Sequence, residues 1–155
     1  MKEEMGNLWE FAGDARCITT NGSIKKDKHG VMGRGVARQA KQYYPGVDEL
    51  LGAHLEANGN HTGVLVEGNR QTMTLVALPV KRTWDAKAEV VLIKRSLDEL
   101  IALADARGWK TVILPRPGCG NGRLSWEWVV KPLVESRLDD RFVVVYAGTG
   151  RQWDA

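Results

Sequence analysis

Leu114-Pro-Arg-Pro-Gly-Cys-Gly-Asn-Gly-Arg-Leu-Ser-Trp126 sets three alternating glycines, Gly118, Gly120 and Gly122, directly behind an apolar strand. A Ser-Trp pair then opens the next apolar run. Strand, glycine-rich turn and helix in succession form a unit that aims bare backbone N–H groups at an anion. Gly30-Val-Met-Gly-Arg-Gly35 is a second turn of this kind. Its Gly33 and Gly35 flank Arg34 at an expected helix start, where free N–H groups and the helix dipole favour a phosphate. Two such loops suit the two phosphates of one diphosphate. Taken singly, each is equally a turn that merely needs its glycines. Neither matches G-x-x-x-x-G-K-[ST], nor G-x-G-x-x-G with a downstream acidic residue.

In open α/β sheets ligands sit beyond the carboxyl ends of the strands, where loops lead into helices. The chain has the alternation such a sheet requires. Arg16-Cys-Ile-Thr-Thr20 reads as a strand entering an Asn21-Gly22 turn. Residues 33–44 read as a helix with Val36, Ala37 and Ala40 on one side, ended by Pro45-Gly46. Residues 47–57 read as a second helix with Leu50, Leu51 and Leu55 inward. Residues 62–67 and 71–80 are strand-like and separated by Gly68-Asn69, a hairpin signal.

Residues 86–107 carry a strong helical period in Val90, Ile93, Leu97, Leu100, Ile101 and Ala104. Gly108 is expected to close this helix and Asp85 to cap its start. Residues 110–114 and 141–146 are continuous apolar runs, typical of strands covered on both faces. Between them, residues 126–138 have helical spacing, and Pro132 is expected to kink that helix or mark its effective first turn. Strands alternating with helices predict an α/β fold with a largely parallel sheet, made mixed by the hairpin.

With 155 residues, a single domain over 1–155 is expected. Lys and Arg number 22 against 19 Asp and Glu, a net charge of +3. That is short of the dense basic stripe of a dedicated nucleic-acid binder. Lys25, Lys26 and Lys28 read as a solvated loop, with contact to a polyanionic substrate as the alternative. Cys17 and Cys119 fit neither metal spacing nor a redox pair, which points to a reducing cytoplasm. His29, His54 and His61 lack metal-site spacing, and His29 reads as a loop histidine. No stretch approaches membrane-spanning length, and Met-Lys-Glu-Glu-Met lacks the apolar core of a signal peptide. A soluble, cytoplasmic monomer without metal or cofactor is expected.

Asp14-Ala-Arg-Cys-Ile-Thr-Thr-Asn21, the 30–35 loop and the 114–126 stretch together resemble the macro domain family over most of the chain. The resemblance implies a three-layer α/β/α sandwich with a mixed central sheet that binds ADP-ribose. It implies that Asn21, beside Thr20, orients the distal ribose. It places Val31, Met32, Gly33, Arg34, Gly35 and Val36 in a first substrate loop, and Pro117, Gly118, Cys119, Gly120, Asn121, Gly122 and Arg123 in a second. The backbone of Gly33, Gly35, Gly118, Cys119, Gly120 and Asn121 would hold the diphosphate. Many macro domains begin with a Gly-Asp-hydrophobic triplet whose aspartate holds the adenine amino group. The nearest match here is Gly6-Asn7-Leu8, and Asn7 is expected to reach adenine through its amide oxygen.

The second loop is similar to that of the branch containing the terminal ADP-ribose glycohydrolase and the DarG antitoxins. Leu78-Pro-Val-Lys-Arg-Thr-Trp84 resembles that branch's catalytic-lysine segment, with Lys81 at the matching position. A neutral lysine amine attacks an anomeric carbon and gives a Schiff-base-type intermediate that water resolves. Burial, or the adjacent Arg82, would lower its pKa toward the required range. Read alone, Lys81 is a surface lysine capping a strand end, and it is the matching segment that makes it equally a nucleophile. The glycohydrolase has an aspartate where this chain has Gly122, as the DarG form also has glycine, so the chemistry is expected to fall on the lysine.

The function implied is hydrolytic removal of ADP-ribose from DNA thymidine or a protein carboxylate, with transient contact to that DNA or protein. The alternatives are a non-catalytic ADP-ribose reader, or an enzyme acting on a metabolite such as ADP-ribose-1″-phosphate or an O-acyl-ADP-ribose. Cys119 reads as a packed or backbone-serving residue rather than a nucleophile. Trp126 and Trp128 are expected as core anchors under the second loop. For Trp84 core packing is the default, with packing over Lys81 or stacking on a substrate base as alternatives.

Overall fold

The computed structural model describes residues 1–148. Residues 149–155 of the expected single domain lie outside the described residues. Strands β1 (Lys2–Met5), β2 (Ala15–Asn21), β3 (Gly63–Val66), β4 (Thr74–Lys81), β5 (Val112–Pro115) and β6 (Phe142–Tyr146) form one sheet. Helices α1 (Gly35–Tyr43), α2 (Val47–Asn58), α3 (Val90–Arg107) and α4 (Lys131–Arg137) cover it. The strand order is β1-β6-β5-β2-β4-β3. Every pairing is parallel except the β3–β4 hairpin. The sheet is mixed as the alternation and hairpin predicted, and the layering is the three-layer sandwich that the resemblance implied.

The two-residue period of the strands builds two cores. Cys17, Val76, Leu78, Leu114 and Val144 turn toward the α3/α4 side, where Ile93, Leu97, Leu100 and Val134 meet them. Ile18, Leu75, Ala77, Ile113 and Val145 turn the other way, onto Val36, Ala40, Leu51 and Leu55 of α1 and α2. Fully burying each such aliphatic side chain contributes roughly 1.5–3 kcal/mol, so both faces are strongly specified. Ligand-accessible backbone is left at the strand ends.

Several local expectations are corrected. Leu50 is 46% exposed, because Val47, Leu51 and Leu55 take the inward stripe of α2. Helix α3 starts at Val90 rather than near 86, and Asp85 does not cap it. Asp85 accepts from the Thr83 hydroxyl instead (2.9 Å). The backbone before α3 is drawn elsewhere: Ala88 N donates to Gly122 O (3.0 Å) and Glu89 N to Val80 O (3.1 Å). Strand β4 begins at Thr74, since Asn69 Oδ1 accepts from Gln71 N and Thr72 N (2.7 and 3.0 Å) and folds that stretch into a turn. Trp128 is 86% exposed, whereas Trp126 is buried. Pro132 lies in the first turn of α4, after a π-helical turn over Trp126–Val130.

Strand β1 has no apolar period in sequence. It is an edge strand, where charged residues suit the unpaired side, and Glu3 holds it down by accepting from Trp126 Nε1 (3.1 Å). The 22–30 loop, which carries the first glycine turn into place, is pinned on α2. Gly30 N donates to Asp48 O (2.8 Å), and a Cβ on Gly52 would lie 1.8 Å from the Lys28 carbonyl oxygen. Gly52→Ala therefore pushes this loop off the helix. The expected cost is about 3 kcal/mol, read as a fall of roughly 6–12 °C in melting temperature by calorimetry. An unchanged melting temperature would show that the loop is not seated on α2.

Candidate functional site

A cavity of about 220 Å³ opens at the carboxyl ends of β2 and β4. Thr19, Thr20 and Asn21 form one wall and Val80 and Lys81 the adjoining one. The first glycine loop contributes Val31, Met32, Gly33 and Arg34, and the second Asn121 and Gly122. Ala37 of α1 and Trp84 complete the lining. The volume is below the roughly 300–1,000 Å³ of a pocket that engulfs a drug-sized molecule.

An irregularity in the sheet sets the floor. Thr20 pairs with Pro79, but the next pairing is Asn21 with Lys81. Strand β4 thus carries an extra residue, the β-bulge that re-aims side chains beside active sites. It explains why consecutive residues, Val80 and Lys81, both line the cavity. Lys81 is 9% exposed, and its carbonyl accepts from Asn60 Nδ2 (2.9 Å). Arg82 turns outward and its Nε pairs with Glu89 (2.6 Å), so its charge is already matched.

Asn21 ties the walls together. Its Nδ2 donates to Val31 O (3.1 Å) and its Oδ1 accepts from Ser23 N (2.9 Å). It therefore positions the first loop, with both ends of the carboxamide bonded to backbone. The Thr20 hydroxyl is different. It is buried without a hydrogen-bond partner among the described residues, and Thr20 lines the cavity. A buried unpaired hydroxyl costs roughly 1–3 kcal/mol, which a ligand polar group would recover. At Gly33 an added Cβ would meet nothing within 4 Å, so bare backbone faces open space.

Gly122 is the opposite case. A Cβ there would lie 2.4 Å from Gly118 O and 2.7 Å from Ala88 Cβ. An aspartate at this position has no room on this backbone. The loop is closed on itself by Leu124 N donating to Gly118 O (3.0 Å). Pro117 and Gly118 are buried behind it. Cys119 donates its thiol to Pro117 O (3.5 Å), and burial pushes that thiol up to about 12. Such a thiol is almost wholly protonated at neutral pH, which suits packing rather than attack. Gly120 and the exposed Arg123 belong to the same loop but do not line the cavity.

Other expected site residues lie apart. Leu8 and Val36 are fully buried in the core on the α1/α2 side and present no side chain to a ligand. Gly35 starts α1 beyond the lining residues. Asn7 caps the 3₁₀ turn Leu8–Glu10, its Oδ1 accepting from Trp9 N (3.0 Å). That segment is clamped by Arg16, which donates to the carbonyls of Leu8, Trp9 and Phe11 (3.0, 3.2 and 2.8 Å). His29 bonds Asp48 (3.1 Å) and serves the loop. Thr19, Ala37 and Val80 were not anticipated. The lining role of Trp84, at 49% exposure, overturns the default of core packing. Its signal was the placement three residues after Lys81.

Comparison with known proteins places this geometry. The chain is 32% identical over 134 residues to a DNA ADP-ribosyl glycohydrolase of Mycobacterium tuberculosis, covering 78% of this chain and 36% of that protein. The chain thus spans little more than a third of the length of the curated relatives it matches. Its fold superposes on the macrodomain of Mycobacterium tuberculosis DarG with a TM-score of 0.78, at 27% identity, covering 96% of this chain and 97% of that one. It also superposes on Thermosipho africanus DarTG in complex with ADP-ribose, with a TM-score of 0.80 at 20% identity, over 98% of this chain and 43% of that one. The family profile described as Macro domain matches residues 26–133, which take in both glycine loops, the bulged strand and Lys81. By that match, this chain belongs to the macro domain family.

Proposed function

We propose that this chain removes ADP-ribose hydrolytically from modified DNA, with Lys81 as the nucleophile. The observation that carries the reading is a buried lysine in a cavity walled by two glycine loops and an unpartnered threonine hydroxyl. A relative named DNA ADP-ribosyl glycohydrolase and a similarly folded protein bound to ADP-ribose support it. The distal ribose enters the cavity toward Lys81 and Thr20. The backbone of Gly33, Asn121 and Gly122 faces the diphosphate, while Gly118, Cys119 and Gly120 shape the second loop behind it. Asn21 acts through the first loop, which it ties to β2. The free thiols of Cys17 and Cys119 suit a reducing cytoplasm.

In the chemical step the neutral Lys81 amine forms a bond to C1″ as the bond from C1″ to the thymidine base breaks, and the base takes a proton. Opening of the ribose ring, with a proton gained at its oxygen, leaves a protonated Schiff base between Nζ and C1″. Water adds to C1″, the C–N bond breaks, and free ADP-ribose and the amine are regenerated. The net change is addition of one water across the base–ribose bond.

The test is a panel of ADP-ribosylated DNA, glutamate-linked protein and ADP-ribose metabolites, with released ADP-ribose measured by chromatography. Turnover of the DNA adduct is expected. Tight ADP-ribose binding with release from none of them makes the chain a reader.

A further inference from the structure

Trp84 holds a half-bare indole at the mouth of the cavity that Lys81 lines. The indole is presented on a braced segment. Trp84 N donates to Ser23 Oγ (3.0 Å), Gly22 N donates to Arg82 O (3.1 Å), and Ala88 N donates to Gly122 O (3.0 Å). An exposed indole on a backbone tied down in this way is the form of a stacking platform for a nucleobase. Lys81 and Trp84 line one cavity, so a group bonded to the ribose that Lys81 attacks has this ring within the same lining.

The surroundings are cationic. Arg82 and Arg95 line a second cavity of about 260 Å³ with Gly22, Asn60, Val91 and Leu92. It adjoins the first through the Asn21-Gly22 and Lys81-Arg82 steps of the chain. From Arg82 to Arg95 the sequence carries four cations against two carboxylates. Glu89 bonds Arg82, and Glu99 stands 3.8 Å from Arg95. Lys25 and Lys26 are exposed on the loop that Ser23 joins to Trp84. An aromatic face interleaved with arginines and lysines is how unpaired nucleic-acid strands are held, bases on the ring and phosphates on the cations. A base pair inside a duplex offers no free face to such a ring.

We propose that Trp84, with Lys25 and Lys26, is the subsite for the single DNA strand that bears the ADP-ribose. Trp84 stacks on a base next to the modified one, and the cations meet the flanking phosphates. The proposal rests on reading the cavity as the site for DNA-linked ADP-ribose.

Its test uses the Lys81→Ala chain, which holds the adduct without turning it over. Calorimetry compares free ADP-ribose, a short single-stranded oligonucleotide carrying ADP-ribosyl thymidine, and an ADP-ribosylated peptide. The oligonucleotide is expected to bind at least about tenfold tighter than free ADP-ribose, and the advantage to shrink as salt rises. Adding Trp84→Ala should bring the ratio to about one, while Trp84→Phe keeps most of it. Equal affinity for oligonucleotide and free ADP-ribose, a ratio untouched by Trp84→Ala, or the same advantage for the peptide overturns the subsite. Failure of the enzymatic reading is separate: the chain with Lys81 would then leave ADP-ribose on the oligonucleotide, yet the affinity ratio still decides the role of Trp84.

Discussion

Lys81→Ala is expected to slow release of ADP-ribose from thymidine-linked DNA by about a thousandfold or more, with ADP-ribose still bound. The physical reason is the location of Lys81 on the bulged end of β4, in a cavity lined by two glycine loops. Removing its side chain leaves the backbone donors of Gly33 and Gly122 in place, and these do not depend on the amine. Lys81→Arg sharpens the point. It retains a cation of similar reach, but a guanidinium is never neutral in a protein and cannot form the C–N bond. Both variants should therefore be equally inactive in single-turnover release assays. A native rate in either variant would remove Lys81 from the chemistry. Loss of ADP-ribose affinity in both would make it a binding residue instead.

Gly122→Asp is expected to abolish function rather than supply a missing acid/base. The new Cβ would stand 2.4 Å from Gly118 O and 2.7 Å from Ala88 Cβ. Neither obstacle is the flexible end of a long side chain. The loop must open, and with it go the bonds from Ala88 N to Gly122 O and from Leu124 N to Gly118 O. Displacing the Asn121 and Gly122 backbone N–H groups in this way, at roughly 1.5 kcal/mol or more for each bond to a charged phosphate, is expected to cost on the order of a hundredfold in ADP-ribose affinity. The overpacking itself costs about 1–3 kcal/mol of stability. Calorimetric binding and thermal melting of the same variant separate the two effects. Undiminished affinity together with a faster reaction would mean that the loop tolerates a carboxylate there. Gly122 would then be a missing catalytic group rather than a closure of the loop.

The two predictions depend on information of different kinds. Lys81 was legible because Leu78-Pro-Val-Lys-Arg-Thr-Trp84 resembles a family segment that is contiguous in the chain, so no distant residue was needed to single it out. Gly122 was legible as a turn glycine and as the place of an aspartate in a similar loop, but not as a position with no room for a side chain. What it excludes is set by Ala88, whose approach follows from α3 starting at Val90 and not near 86. Asn21 shows the same split. Its place at the end of a strand was readable, but its bonds to Val31 and Ser23 make it a brace for the first loop. Asn7 and Leu8 were assigned by their triplet, and the structure uses one as a cap and buries the other.

By itself the sequence determined the alternation of strands and helices, the hairpin, the two glycine loops and the lysine segment between them. All but the lysine segment, which was singled out by its resemblance to the family, rest on apolar periodicity or turn chemistry among residues close along the chain, where the backbone's own geometry does the selecting. Tertiary structure alone decided that Trp84 is bared at the cavity while Trp126 is buried and Trp128 turned to solvent. It also decided that Lys2–Met5 pairs as an edge strand, and that Val80 and Lys81 share one wall. Those outcomes depend on which distant residues come to lie against them, and no local period records that.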